Sequence, residues 1–406
     1  MTTGRCETSV MPILAPNLDC IANSLAERFH KLYGTSARIF LAPGRVNLIG
    51  EHTDYNDGFV MPTAINFYTW VAVAERPDRI LNVYSEHFGE MVQLYVAALG
   101  GPPRKHWSDY VRGVAAVLQA TGRTVSGANL MISSQVPLGV GLSSSASLEV
   151  STALALLAIS DLECPPLELV KICHQAEHEC AGTRCGIMDQ FIAVFGRADG
   201  ALMLDCRSLA EQILALPHDI RIVICNSMVR HELAAGEYNR RRADCEAGVE
   251  VLRQHLSNIR ALRDVTLADL QGYKHLLPQQ IWQRCHHVVS ENQRVLDAAE
   301  ALRSGNLPGF GRLMYESHAS LRDDYEVSCA ELDLLVKLAS TCEGVWGARM
   351  TGAGFGGCTV NLVRCEAVDS FRSRVTESYQ KATGRTPEVY VCAAAPGARA
   401  WQPFVG

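Results

Sequence analysis

Pro137-Leu-Gly-Val-Gly-Leu-Ser-Ser-Ser-Ala-Ser147 joins two segments of opposite character. Upstream, Ala128–Val136 reads as a strand, which Pro137–Gly141 ends. Downstream, Ser145–Ile159 has the small, apolar composition of a buried helix. A strand, a glycine-containing loop and a helix start suit an anion. Glycines let a ligand approach the backbone, and the helix start presents unpaired N–H groups and a positive dipole end. Serine hydroxyls add donors for phosphate oxygens and an oxygen for a metal. One serine there would be a plain N-cap; three in succession behind two glycines point to phosphate. A dinucleotide fingerprint needs glycine or alanine where Ser144 stands, and no acidic residue ends a following strand at the expected offset. No Gly-Lys-Ser/Thr occurs anywhere, so this is not a Walker A loop. The loop says phosphate and no more.

Working outward, Thr69–Glu75, Leu81–Ser85 and Val92–Ala97 are short, rich in β-branched and aromatic residues and separated by turns, as strands of one sheet are. Leu167–Cys180 places Leu169, Ile172, Cys173, Ala176 and Cys180 on one helical stripe. Strand signals return at Ala201–Cys206 and Arg221–Asn226, and residues 238–340 follow helical periodicity. Glycine-rich Gly347–Gly357 then leads to a strand at Cys358–Val363, a helix around Ala367–Lys381 and a strand around Val389–Ala393. A chain of 406 residues exceeds one ordinary core. The expectation is an α+β fold of two domains, residues 1–200 and 201–406, with the boundary between Gly182 and Leu216 and the final strand free to return to the first domain.

Hydrophobic residues at 48% and charged residues at 20% are the balance of a globular protein, and a net charge of −6 argues against a nucleic-acid partner. The 15 cysteines include no Cys-x-x-Cys pair, which excludes zinc-ribbon and thioredoxin patterns. Several, such as Cys225 and Cys392, sit in apolar runs as small buried hydrophobes with free thiols, as expected in a reducing compartment. Met11–Ala15 is too short for a signal-peptide core, and Ala153–Ile159 falls far below the ~18 apolar residues of a membrane span. A cytoplasmic protein is expected, with no membrane partner.

Two further segments carry chemistry. In Ala42-Pro-Gly-Arg-Val-Asn-Leu-Ile-Gly-Glu-His-Thr-Asp-Tyr-Asn-Asp-Gly58, the glycines and proline predict an irregular loop holding Arg45, Glu51, His52 and Asp54. Carboxylates accept sugar O–H bonds and a cation meets phosphate, so an ordered loop of this kind suits a hydroxyl-rich ligand. The other reading is a solvated loop of surface ion pairs. Cys185-Gly-Ile-Met-Asp-Gln-Phe191 isolates Asp189 among apolar residues, where it is either paired with an arginine or backbone N–H groups, or a catalytic base. Glu177, four residues after Cys173, is a metal ligand or one half of a surface pair.

Taken together and in this order, these segments resemble the galactokinases, within the superfamily of galactokinase, homoserine kinase, mevalonate kinase and phosphomevalonate kinase. Gly44–Asn56 is similar to the galactokinase signature, Pro137–Ser147 to the superfamily's ATP loop, and Arg349–Cys358 to its third, glycine-rich motif. Weaker matches are His106–Gly113, Arg230–Tyr238 and Ser317–Cys329. The resemblance implies an N-terminal domain like ribosomal protein S5 domain 2 and a ferredoxin-like C-terminal domain. ATP and sugar would meet in the cleft between them.

It also implies roles. Gly139, Gly141, Ser143 and Ser144 would cradle the ATP phosphates, Ser144 and Glu177 would hold Mg²⁺, and Trp107 would lie against the adenine. Arg45, Glu51, His52, Asp54, Gly186, Asp189 and Tyr238 would bind galactose, with Asp189 the base at the anomeric hydroxyl and Arg45 keeping it ionised. Val140 replaces a glycine common in the family, so its side chain must point away from the phosphates. The implied activity is transfer of the γ-phosphoryl of ATP to galactose by a monomer. A non-catalytic galactose sensor lacks the Ser-Ala pair present here as Ser145-Ala146. An N-acetylgalactosamine kinase differs just after Glu-His, where Thr53-Asp54-Tyr55-Asn56 matches the galactose type.

Overall fold

The computed structural model describes residues 17–230 and 234–402. Met11–Ala15 and the centre of the Arg230–Tyr238 segment lie outside the described residues. The described chain starts on helix α1 (Leu18–Tyr33), capped by the Asn17 side chain and stopped by Gly34 at φ +72°. Strands β1 (Arg38–Asn47), β2 (Phe59–Val60), β3 (Pro62–Arg76), β4 (Ile80–Ser85) and β5 (Glu90–Tyr95) follow, then helix α2 (Ser108–Ala120) and strand β6 (Gly127–Ser134). Helices α3 (Ser144–Ile159), α4 (Pro166–Ala176) and α5 (Met188–Phe195) complete this half. The sheet order is β13-β1-β3-β6-β4-β5, where β13 (Arg399–Ala400) comes from the far end of the chain.

Strand β3 shows why this half is stable. Val71 and Val73 face the cluster that Val114, Leu118, Val150 and Leu156 of α2 and α3 fill, whereas Trp70 and Ala72 face Leu25 and Phe29 of α1. A strand covered on both faces reads as a nearly continuous apolar run.

The second half builds a four-stranded antiparallel sheet in the order β10-β11-β9-β12, from β9 (Ile220–Arg230), β10 (Val345–Thr351), β11 (Gly356–Arg364) and β12 (Glu388–Cys392). Between β9 and β10 run α6 (Ala234–Arg253), α7 (Leu267–Gly272), α8 (Gln279–Arg303), α9 (Leu307–Asp323) and α10 (Ala330–Ser340); α11 (Val368–Thr383) precedes β12. Val223 and Cys225 of β9 pack on Leu335, Phe371 and Tyr379. The alternate residues Ile222 and Ile224 join Val46, Leu48, Val136 and Leu142 of the first half in one cluster. The two halves therefore share apolar core. A small sheet, β2-β7-β8, is formed with β7 (Gly200–Asp205) and β8 (Glu211–Ala215). The strand expected near Val389–Ala393 stays with β9; the chain beyond it returns, with Ala395 N–H donating to Ala64 O at 3.0 Å before β13 pairs with β1.

Two expectations are corrected. Residues 42–47 are not an irregular loop but part of β1, buried throughout. The strand tolerates Pro43 and Gly44 because its register with β3 shifts between them. Such a bulge bends the strand and re-aims its side chains. A Cβ at Gly44 would lie 2.8 Å from Leu142 O, so β1 can approach the phosphate loop only with glycine there. The helix expected over Leu167–Cys180 ends as an α-helix at Ala176 and continues as one π-turn, Glu177–Ala181. Such single turns often mark functional positions. No helix among the described residues is long and apolar enough to cross a membrane.

Candidate active site

The halves meet at a cavity of about 330 Å³. The bulged strand β1 and the turn after it bring Arg45, Glu51, His52 and Asp54 to its wall. The loop before α3 brings Gly139, Gly141, Ser143 and Ser144; the π-turn brings Glu177, α5 brings Asp189 and α6 brings Tyr238. Gly186 stands directly behind Asp54: a Cβ there would sit 1.9 Å from Asp54 Oδ2. Trp107 lines a neighbouring cleft with Leu138, Phe88 and Ser144. Its indole lies nearly parallel to Phe88, 5.9 Å between centroids, and donates Nε1–H to Glu90 at 2.8 Å.

Asp189 is gripped from two sides. Arg45 donates Nε–H to Oδ1 and an Nη–H to Oδ2, both at 2.8 Å, and Ser143 Oγ–H donates to Oδ2. A forked guanidinium–carboxylate pair fixes orientation as well as charge. Arg45 also donates to Gly141 O, which ties the acid to the phosphate loop. Ser143 sits at the N-cap of α3 at φ +57° and gives its hydroxyl to Asp189, so no side chain caps that helix start.

The loop itself rests on the third glycine-rich motif. A Cβ on Gly141 would lie 3.0 Å from Thr351 O, and one on Gly357 2.8 Å from Val140 O. Val140 is buried among Val136, Leu142 and Cys358, so its side chain points away from the cavity, as its replacement of glycine requires.

The signature turn is held by groups far away in the chain. Glu51 Oε1 accepts from Gly352 N–H at 2.7 Å and Thr351 Oγ–H at 3.2 Å, beside the fully buried Arg349. His52, at φ +63°, lies with Nδ1 2.8 Å from Tyr55 Oη and Nε2 3.2 Å from Ala353 O. Burial, then His287, lowers its pKa to about 3, so the ring is neutral. The Tyr238 ring packs 5.5 Å from His52 and 5.4 Å from Tyr55; burial, then Asp54, pushes its hydroxyl well above the usual range and keeps it a donor.

Asp54 accepts from Tyr55 N–H at 3.0 Å, and burial, then Asp189 and Glu51, raises its pKa to about 7. The sign follows. Between the ordinary carboxylate range and pH 7 the folded state holds a proton that the unfolded state has released, so this group makes stability fall as pH rises through that window. Asp54→Asn should therefore raise Tm of the ligand-free protein by a few degrees at pH 8 and leave it unchanged at pH 4. Scanning calorimetry at the two pH values checks this; an equal shift at both would remove ionisation as the cause.

Sequence reading missed Glu149 and Gln190. Gln190 Nε2 donates to Glu177 Oε2 at 2.6 Å and to Glu149 Oε2 at 3.0 Å, all three fully or nearly buried. Burial, then Asp189, raises Glu177 to about 7; burial, then Glu177, puts Glu149 well above the usual carboxylate range. Burial and the neighbouring Glu177 favour the protonated form of Glu149, which anchors Gln190, while Glu177 faces the cavity. Among the described residues neither acid has an ion-pair partner, so this pair of buried acids joined by an amide is short of positive charge. The signal was present: Glu149 is a lone charge in an otherwise small and apolar helix.

Family models match three regions: "Galactokinase galactose-binding signature" at residues 27–75, "GHMP kinases N terminal domain" at 109–197 and "GHMP kinases C terminal" at 298–381. The galactokinase of Roseiflexus sp. (strain RS-1) is 48% identical over 374 residues, 92% of this chain and 95% of that protein. That of Chloroflexus aggregans is 49% identical over 370 residues, 91% and 95%. The crystal structure of Lactococcus lactis galactokinase complexed with galactose superposes with a TM-score of 0.91 at 36% identity, covering 94% of this chain and 100% of that one. With signature, loop and third motif assembled at one cleft, the chain belongs to the galactokinase family of the GHMP kinases.

Proposed function

We propose that the protein is a galactokinase, which transfers the γ-phosphoryl group of ATP to the anomeric hydroxyl of galactose, giving galactose 1-phosphate and ADP. The observation that carries this is Asp189: a carboxylate clamped by Arg45, facing a cleft whose other walls are an anion-binding loop and a carboxylate-rich turn. Phosphoryl transfer asks mainly for positioning and charge neutralisation, with one base to take the nucleophile's proton. Asp189 takes that proton, Arg45 orients its carboxylate and faces the phosphoryl oxygens, and Gly139, Gly141, Ser143 and Ser144 hold the phosphates. Trp107 borders the adenine. Asp54, given room by the missing Cβ of Gly186, accepts galactose hydroxyls; Tyr238 donates to the sugar, and Glu51 and His52 shape the wall. Action as a monomer in the cytoplasm is part of this proposal; no disulfide joins the 14 described cysteines, which suits that compartment.

Glu177 and Ser144 fit Mg²⁺, since hard oxygen ligands beside phosphates are its usual setting and Glu177 lies in a site short of positive charge. Bound there, the ion would neutralise developing charge on the phosphates. Ser144→Ala and Glu177→Gln should each weaken MgATP binding and lower kcat. Calorimetry and steady-state ADP release with galactose test this together; unchanged MgATP affinity and unchanged kcat in both variants would reduce the loop to a helix cap.

A further inference from the structure

His174, His178 and Cys185 gather at the end of α4 and across the π-turn, where Cys185 also lines the cavity and contacts Glu177. One ring nitrogen of each histidine and the Cys185 sulfur lie within 4.8 Å of one another, and all three residues are half-buried. The histidines are one helical turn apart, with ring centroids 4.2 Å from each other. Both Nε2–H groups converge on Cys185 O, at 3.2 Å from His174 and 2.7 Å from His178. Holding this loop would need one such bond. Two imidazoles and a thiol brought together are instead the donor set of a soft divalent cation, unlike the oxygen ligands Mg²⁺ takes.

We propose that His174, His178 and Cys185 bind a zinc-class cation, with the fourth position open to solvent, and that occupancy slows turnover. On binding, the imidazoles ligate through ring nitrogens and the Cys185 thiol releases its proton to solvent as its sulfur takes the metal. Zinc–nitrogen and zinc–sulfur bonds of about 2.0–2.3 Å put tetrahedral ligand atoms roughly 3.3–3.8 Å apart. The three side chains must therefore close by up to about 1 Å, and the segment that moves is the one after Gly182 at φ +80°. Cys185 adjoins Gly186, which has no free space against Asp54, and lies on the same short segment as Asp189. Closure at the metal thus displaces the sugar wall. This second step rests on the proposed kinase activity; the binding step does not.

The test uses the full-length, reduced, metal-stripped protein. Zn²⁺ is titrated against a chromophoric chelator, and Co²⁺ is used as a spectroscopic substitute. One equivalent per chain should bind at low micromolar Kd or tighter, with a thiolate–cobalt charge-transfer band that Cys185→Ser removes. His178→Gln, which keeps an N–H donor for Cys185 O, should weaken zinc at least tenfold and leave metal-free activity unchanged; His174→Gln is the second variant. One equivalent of Zn²⁺ should slow wild-type turnover in the presence of Mg²⁺ and spare His178→Gln. Failure to bind one equivalent, or affinity unchanged in Cys185→Ser and both histidine variants, overturns the site. Stoichiometric binding without slowing overturns the coupling, and a chain without kinase activity still leaves the binding measurement decisive.

Discussion

Asp189→Asn is expected to lower kcat by about 10⁴-fold, the top of the range for a positioned acid–base group. Two losses coincide. The amide cannot take the anomeric proton, and its NH₂ meets the Arg45 fork that now donates to both carboxylate oxygens. Fold and ligand binding should largely survive, because the amide keeps the carboxylate's shape and α5 remains packed through Phe191 and Ile192. Single-turnover kinetics alongside calorimetry of galactose and MgATP separate the two. Near-wild-type kcat would remove Asp189 from the chemistry.

Glucose, the C4 epimer of galactose, is expected to be nearly inert, with kcat/KM lower by up to ~10⁴–10⁵. The reason is Asp54. Family resemblance sets it against the C3 and C4 hydroxyls, and its surroundings already raise its pKa to about 7 through burial, Asp189 and Glu51. A substrate that fails to supply a hydroxyl leaves an uncompensated buried carboxylate. Galactose hydroxyls stabilise the ionised form, so kcat/KM for galactose should fall as pH drops below about 7. Asp54→Ala should cut galactose kcat/KM steeply and narrow the gap between epimers. Equal use of both sugars by the wild type, or discrimination intact in the variant, would move sugar recognition elsewhere.

What is legible in the sequence is what is local. The strand, loop and helix around Pro137–Ser147 stand as expected because proline, glycines and a small apolar run act on their own neighbours. Helix α1 was equally local, with Ala22, Leu25 and Phe29 on one stripe and Asn17 and Gly34 as caps, yet it carries no chemical motif to draw attention. Strand β1 misleads because Pro43 and Gly44 are breakers in isolation; only pairing with β3 makes them a bulge. The site's partnerships are hidden by separation: Arg45 reaches Asp189 across 144 residues and Glu51 reaches Gly352 across 301. Gly186, expected at the sugar, also leaves the space that Asp54 fills, a packing constraint that no local pattern reveals. Resemblance brings such residues together in a list, and geometry says why each must be there.

The most direct measurement of the central claim is identification of the product. The purified chain, incubated with MgATP and galactose, should yield ADP and galactose phosphorylated at C1, read by phosphorus and proton NMR, in equal amounts. Asp189 would then have activated the anomeric oxygen, as its place beside Arg45 and the phosphate loop requires. Galactose 6-phosphate as the product, or ADP released without sugar phosphate, would contradict that reading of the cleft.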